Sequence, residues 1–264
     1  MSLLRALQIS KHFRQRSGPW QSSDRPILDQ VCLSIGYGET IALVGKSGCG
    51  KSTLARILMG LESPSSGYAM FEEQRVDPRD KALMRRLFLS VQMVFQDPIT
   101  AVSPRYTVGE IISEPLRFLK RFTRVQIRER VSELLAAVHL SDRDYDKYPQ
   151  QMSGGQLQRV CIARALAPGP RLIILDEAVS NLDLHLQIQI LDLFSELQHS
   201  QDVSYLFISH DLRLVERFCT KVLIMDEGRI IEAASVQSPL FLKSRQGRAL
   251  TDAILPAFPV SLAS

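Results

Sequence analysis

The run Gly45, Lys46, Ser47, Gly48, Cys49, Gly50, Lys51, Ser52, Thr53 narrows what this chain can fold into more than any other stretch. It fits G-x-x-x-x-G-K-[ST], with Gly45, Gly50, Lys51 and Ser52 at the fixed positions. Glycines let the backbone curl tightly, so that successive N–H groups point at phosphate oxygens. A helix starting near Lys51 adds the positive end of its dipole to the same place. Lys51 supplies a mobile cation for the β- and γ-phosphates, and the Ser52 hydroxyl suits Mg²⁺ ligation. The flanks agree. Thr40–Val44 is a short apolar run that reads as a buried strand, and Leu54, Ile57 and Leu58 recur on one face of a helix. By itself the loop predicts only that some nucleoside triphosphate is bound.

A second anion-binding corner lies far along the chain. Ser153, Gly154, Gly155 and Gln156 precede a helix expected from about Gln156 to Leu166, and exposed N–H groups at such a start favour negative charge. One nucleotide does not obviously reach both corners of one chain. Between them, Gln96 ends the apolar run Val91–Phe95. After them, Leu172–Leu175 reads as a buried parallel strand ending in Asp176 and Glu177. A carboxylate at such a strand end lies where Mg²⁺ is held beside a phosphate loop. Asp176 is placed to bind the metal, and Glu177 to polarise an attacking water. Ser180–Asp183 is a polar turn before a helix over 184–198, and His210 follows the apolar run Val203–Ile208 as Asp176 follows its strand. Phe13 alone reads as a small hydrophobic contact, although an aromatic face is also a platform for a base.

The remaining pattern alternates β and α signals. Residues 1–44 read as antiparallel strands, with Leu7 and Ile9, then Val31, Leu33 and Ile35, alternating with polar neighbours. The polar stretch Arg14–Arg25, holding Gly18 and Pro19, reads as a loop. A helix is expected over 79–90. Residues 107–140 form a helical region with the stripe Val108, Ile111, Ile112, Leu116 and Leu119, which Pro115 should kink or divide. Thr123 is an expected N-cap for the stripe Ile127, Val131, Leu134, Leu135 and Val138. Residues 221–226 and 228–232 read as a terminal hairpin.

Composition closes several classes. A net charge of +4 with no long run of like charge gives no nucleic-acid stripe. No stretch approaches the roughly 18 apolar residues of a membrane span, and no secretory signal is visible. Cys32, Cys49, Cys161 and Cys219 lack metal-site spacing and are expected to be reduced thiols of a cytoplasmic protein. His12, His139, His185, His199 and His210 are not clustered either, so no nickel or zinc site is expected in the chain itself.

Gly45–Thr53, Gln96, Met152–Gln156, Asp176-Glu177, Ser180–Asp183 and His210, in this order and at these spacings, resemble the ATP-binding cassette (ABC) family over nearly the whole chain. Val94–Pro98, Ser103–Arg105 and the helix over 107–115 resemble its importers of dipeptides, oligopeptides and nickel. Asp176–Asp183, Ser209–Cys219 and the tail Leu255–Pro259 look most like the second ATP-binding subunit of the nickel import systems. The resemblance implies an α/β fold: a P-loop NTPase (RecA-like) core with an N-terminal antiparallel β subdomain and an inserted α-helical subdomain. The implied division is residues 1–95 and 165–235 for the core, 96–164 for the helical insert and 236–264 for a tail.

It further implies ATP hydrolysis with Mg²⁺ between two chains paired head to tail, one giving the Gly45–Thr53 loop and the other its Ser153–Gln156 corner. The partner would be a second ABC ATPase subunit, a different one or a copy of this one. Phe13 then becomes the adenine-stacking aromatic, reversing its bland reading. Lys51 grips the phosphates, Ser52, Gln96 and Asp176 serve the metal, Glu177 orients water, and His210 bonds the γ-phosphate. Asp183 makes a contact across the pair. Two membrane permeases would dock on the segment after Gln96 and the helical insert, at the cytoplasmic face of the membrane. An extracytoplasmic binding protein would take part indirectly, and no nucleic acid is implied. Peptide import is the alternative cargo; a soluble ABC protein of DNA repair or translation, and an exporter, fit less well. Met152 for the usual Leu, Ala178-Val179 for Pro-Thr and Asn181 for Ala depart from the family without removing a reactive group. The tail has no cysteines, so no iron–sulfur cluster is implied.

Overall fold

Continuous apolar runs signal parallel strands covered on both faces. In the structure, a computed structural model describing residues 2–16, 22–119 and 122–252, three such runs become β3 (Thr40–Val44), β7 (Leu172–Asp176) and β8 (Ser204–Ile208), buried at every position. With β6 (Val91–Val94), β9 (Lys221–Asp226) and β10 (Arg229–Ser235) they make a six-stranded sheet in the order β10-β9-β3-β8-β7-β6. All but β10 run parallel. Side chains alternate across it. Ala42, Val44, Ile173, Leu175, Tyr205 and Phe207 join one core, while Ile41, Leu43, Leu172, Ile174, Leu206 and Ile208 join the other.

The second core is closed by α1 (Lys51–Leu58), α2 (Lys81–Ser90) and a four-stranded antiparallel sheet. That sheet orders β2 (Ser22–Gly36), β1 (Ser2–Arg16), β4 (Ser66–Phe71) and β5 (Gln74–Arg75). The first core is closed by α3 (Val108–Leu119), α4 (Arg124–Ala137), α5 (Gly154–Leu166), α6 (Leu184–Gln201) and α7 (Leu212–Phe218). The fold is thus the expected P-loop α/β core with an antiparallel β part and a cluster of inserted helices.

Several local expectations are corrected. Leu7 and Ile9 do not share a buried face: register shifts and the positive φ of 49° at Gln8 form a bulge, which buries Ala6 and Ile9 and turns Leu7 half out. Arg14–Arg25 is not all loop. Arg14 pairs with Asp24, Gln15 with Ser23 and Arg16 with Ser22, because ladder bonds need only backbone and tolerate polar side chains on a hairpin. Gly18 and Pro19 lie outside the described residues, as does the tail Leu255–Pro259. Pro115 does not divide α3; Val108, Ile111, Ile112 and Leu116 are all buried, and that packing carries the helix through the lost hydrogen bond. Thr123 caps α4 reciprocally with Gln126, as its sequence position suggests.

Candidate functional site

Parallel strands leave their carboxyl ends at one edge of a sheet, where ligands bind. Here that edge gathers the loop after β3, Asp176 at the end of β7, His210 just beyond β8 and Gln96 just beyond β6. The loop depends on its glycines. A Cβ on Gly45 would run into the Met225 carbonyl, and Gly48 and Gly50 have φ of 81° and 109°, open to glycine but not to bulkier residues. Lys51 is buried, its Nζ donating to the carbonyls of Gly45 at 2.7 Å and Lys46 at 3.0 Å. This holds the ammonium inside the curl of the loop. Burial pushes the Cys49 thiol up against the opposing charge of Lys51.

Ser52, in the first turn of α1, donates to Asp176 Oδ1 at 3.0 Å. β8 separates β3 from β7 in the sheet, so this contact is made by α1 passing above it. Burial raises the Asp176 carboxyl above the ordinary carboxylate range, opposed by the Ser52 hydrogen bond. Glu177, at φ 48°, turns back into the site. Its Oε2 accepts from Gln96 Nε2 at 2.7 Å and its Oε1 lies 3.8 Å from His210 Nδ1. Phe13, Lys51, Ser52, Gln96 and Glu177 line one cleft of about 370 Å³. His210 faces a smaller neighbouring cleft on the far side of Glu177, with Ser180 on its wall.

Ser153, Gly154, Gly155, Gln156 and Asp183 are not brought into that cleft. Ser153 and Gln156 cap α5 reciprocally, Ser153 Oγ accepting from Gln156 N at 3.2 Å and Gln156 Oε1 from Ser153 N at 2.9 Å. Asp183 Oδ1 accepts from Leu186 N at 3.0 Å and caps α6. α5 starts at Gly154, a turn-fraction earlier than expected, because the Ser153 hydroxyl secures the first N–H groups.

Two neighbours of the site escape sequence reasoning. Ile27 of β2 lines the cleft, yet nothing in an apolar strand residue signals that. Asn181 Nδ2 donates to the Gln96 carbonyl at 3.2 Å; its signals were its place in the Ser180–Asp183 turn and its departure from the family's usual Ala, neither of which pointed to this contact.

The model of the family described as ABC transporter matches residues 28–180, more than half of the chain. The chain belongs to the ABC transporter family. Its cassette is 51% identical over 98% of its length to the nickel import ATP-binding protein NikE of Rhodospirillum rubrum, covering 94% of that protein. It is 49% identical, again over 98%, to the protein of the same name from Shigella dysenteriae, covering 97% of it. Among solved structures, a dimeric ATP-binding cassette bound to ADP and Pi superposes with a TM-score of 0.82 at 27% identity, over 89% of this chain and 99% of that one. CbiO1 of Clostridium perfringens, part of an ABC transporter complex, gives 0.73 at 28%, over 90% of each. As a member of this family the cassette binds ATP, and ABC ATPases dimerise and associate with transporter components. No described helix is long and apolar enough to cross a membrane.

Proposed function

We propose that this cassette is the ATP-hydrolysing subunit of an ABC importer of nickel ions. The observation that carries hydrolysis is the Glu177 carboxylate, turned into the phosphate-loop cleft and held by Gln96 at 2.7 Å. A base so placed orients a water in line with the γ-phosphorus. The water oxygen bonds to phosphorus as the bond to the ADP oxygen breaks, and Glu177 takes the water's proton. Lys51, the loop N–H groups and His210 stabilise the charge on the transferred phosphoryl group. The Ser52 hydroxyl and Asp176 carboxylate, 3.0 Å apart, are hard oxygen donors of the kind Mg²⁺ takes. When bound, Mg²⁺ neutralises phosphate charge.

Ser153, Gly154, Gly155, Gln156 and Asp183 complete the site of a partner chain rather than their own, a reading supported by their absence from the lining of this chain's cleft. The partner is a second, related ATPase subunit. Phe13 stacks on the adenine. The pair sits at the cytoplasmic face of the membrane under two permeases, which engage the exposed loop beyond Gln96, where Ile99 is 70% exposed. A binding protein outside the membrane delivers cargo. Residues 96–164 act as the helical insert, 1–95 and 165–235 as the core, and 236–264 as a tail.

Nickel as cargo is supported by the two relatives at 49–51% identity over 98% of the chain. The test is uptake of labelled nickel and of a labelled dipeptide in a strain lacking this gene. Wild-type protein restores nickel uptake and Glu177→Gln does not. Restoration of dipeptide uptake alone would replace nickel by peptide; restoration by Glu177→Gln would remove hydrolysis from the mechanism.

A further inference from the structure

One side of α5 is joined to the loop after β6 by three contacts of constant offset. Gln158 Nε2 donates to the Phe95 carbonyl at 3.2 Å, the Cys161 thiol points at the Pro98 carbonyl at 4.0 Å, and Arg164 Nη1 donates to the Ala101 carbonyl at 2.7 Å. Each pair is separated by 63 residues, so helix and loop advance in step. Three helical residues rise about 4.5 Å, so the ladder spans roughly 9 Å of α5. The other side of the helix is tied too: Arg159 Nη1 donates to the His139 carbonyl at 2.6 Å, at the end of α4.

Gln158 is fully buried, and its Oε1 has no partner. A buried acceptor left unsatisfied weakens a fold, and an apolar side chain of the same length would remove that cost. The same exchange would leave the Phe95 carbonyl without this donor, so the amide adds little net stability. What it provides is a donor to Phe95, the residue next to Gln96. Gln96 is held on its other side by Asn181 at its carbonyl and through its amide by Glu177. Its peptide thus lies between α5 and the turn that follows Glu177.

We propose that Gln158 and Arg164 are positioning residues that transmit a displacement of α5, begun at its Ser153–Gln156 end, into the Gln96–Glu177 contact and the Pro98–Ala101 loop. This rests on the transporter reading above, in which α5 meets the partner's nucleotide and the loop meets a permease. A rigid helix tied at both flanks moves as one body, and the ladder makes the loop follow it instead of β6. Closure of the pair then sets Gln96, and with it Glu177, while the same motion is handed to the permease side.

The test uses the assembled transporter with Gln158→Met, Arg164→Met and Arg164→Lys, followed by thermal unfolding, ATP Kd of the isolated chain, and kcat and KM of the complex. Gln158→Met, which removes the unsatisfied Oε1 together with the donor to Phe95, should melt close to the wild-type temperature with unchanged ATP Kd, while kcat falls about tenfold, within the range for residues that couple sites. Arg164→Met should fall likewise, and Arg164→Lys, which keeps a donor for Ala101, should recover most of kcat. Wild-type kcat in both methionine variants would overturn the proposal, as would losses that track lowered melting temperature or a lysine variant as impaired as the methionine one. A wild-type complex without ATP turnover would overturn the transporter reading, and this proposal with it, before any variant is compared.

Discussion

Gln96 Nε2 and Glu177 Oε2 stand 2.7 Å apart although 81 residues separate them in the chain. The amide donates to the carboxylate that we propose as the proton acceptor from water, so the two cannot be varied independently. Glu177→Gln keeps the size and hydrogen-bonding capacity and removes the charge. Its kcat should fall about 100- to 1,000-fold, the scale for loss of one transition-state electrostatic contact. ATP affinity should persist, because Lys51 and the loop are untouched. Single-turnover hydrolysis and gel filtration with ATP check this: the variant should accumulate as an ATP-bound pair, and near-normal turnover would remove Glu177 from its role.

Gly154 separates folding from pairing. A Cβ built there meets nothing within 4 Å, and one on Gly155 meets only Leu182 at 3.5 Å and Asn181 at 3.8 Å. Gly154→Ala should therefore leave the single chain as stable as before or more stable, by up to about 1 kcal/mol of helix propensity. Its own phosphate loop should bind ATP normally. Hydrolysis by the pair should nevertheless drop sharply if, as proposed, that open space receives the partner's nucleotide. Unfolding curves beside ATPase assays decide it; retained hydrolysis would argue against a shared site.

Phe13 is 45% exposed on the wall of the cleft, with Lys11 Nζ 5.1 Å from its ring centroid. Loss of a base–aromatic stack costs about 1–3 kcal/mol, so Phe13→Ala should raise the ATP Kd by roughly 5- to 150-fold. Phe13→Trp should preserve it. Equilibrium binding of ATP against inorganic triphosphate reads the effect directly, since only the former has a base to stack.

Asp144 should give the fold an acid-sensitive contact. Lys147, at 2.7 Å, holds its carboxyl below the usual carboxylate range against the opposing effect of burial. Its native pKa is depressed, so its contribution is fully present above the unfolded value of about 4 and is lost as pH falls through the native one. Asp144→Asn should be less stable than wild type at neutral pH, with the difference shrinking in acid. The turn it holds accepts the first bonds of α3, Val108 N to the Lys147 carbonyl and Gly109 N to that of Tyr145, both at 2.8 Å. Urea melts at pH 7 and below pH 4 provide the check; a constant difference would exclude the linkage.

Much of this molecule is legible locally. Gly45–Thr53 specifies its own turn because glycine alone tolerates the close approach at Gly45 and the positive φ at Gly48 and Gly50. The all-apolar runs of β3, β7 and β8 announce strands buried on both faces, and Thr123 announces the start of α4 through its cap. These are signals of period, φ preference and capping, each complete within a few residues.

What local signals leave open is which elements become neighbours. Nothing in the chain order puts β8 between β3 and β7, or carries Ser52 over it to Asp176, 124 residues away. The bulge at Gln8 reverses the inward face of β1 midway, and a period-two pattern cannot foresee that. The in-step joining of Gln158, Cys161 and Arg164 to the loop after β6 exists only once α5 lies alongside it. The sequence by itself determined the phosphate-binding loop, the all-apolar strands and the capped helices, because short-range sterics, hydrophobic runs and hydrogen bonding suffice for them. The tertiary structure alone decided how Gln96, Glu177 and α5 are linked, because those contacts join distant segments and are selected by the packing of the whole core.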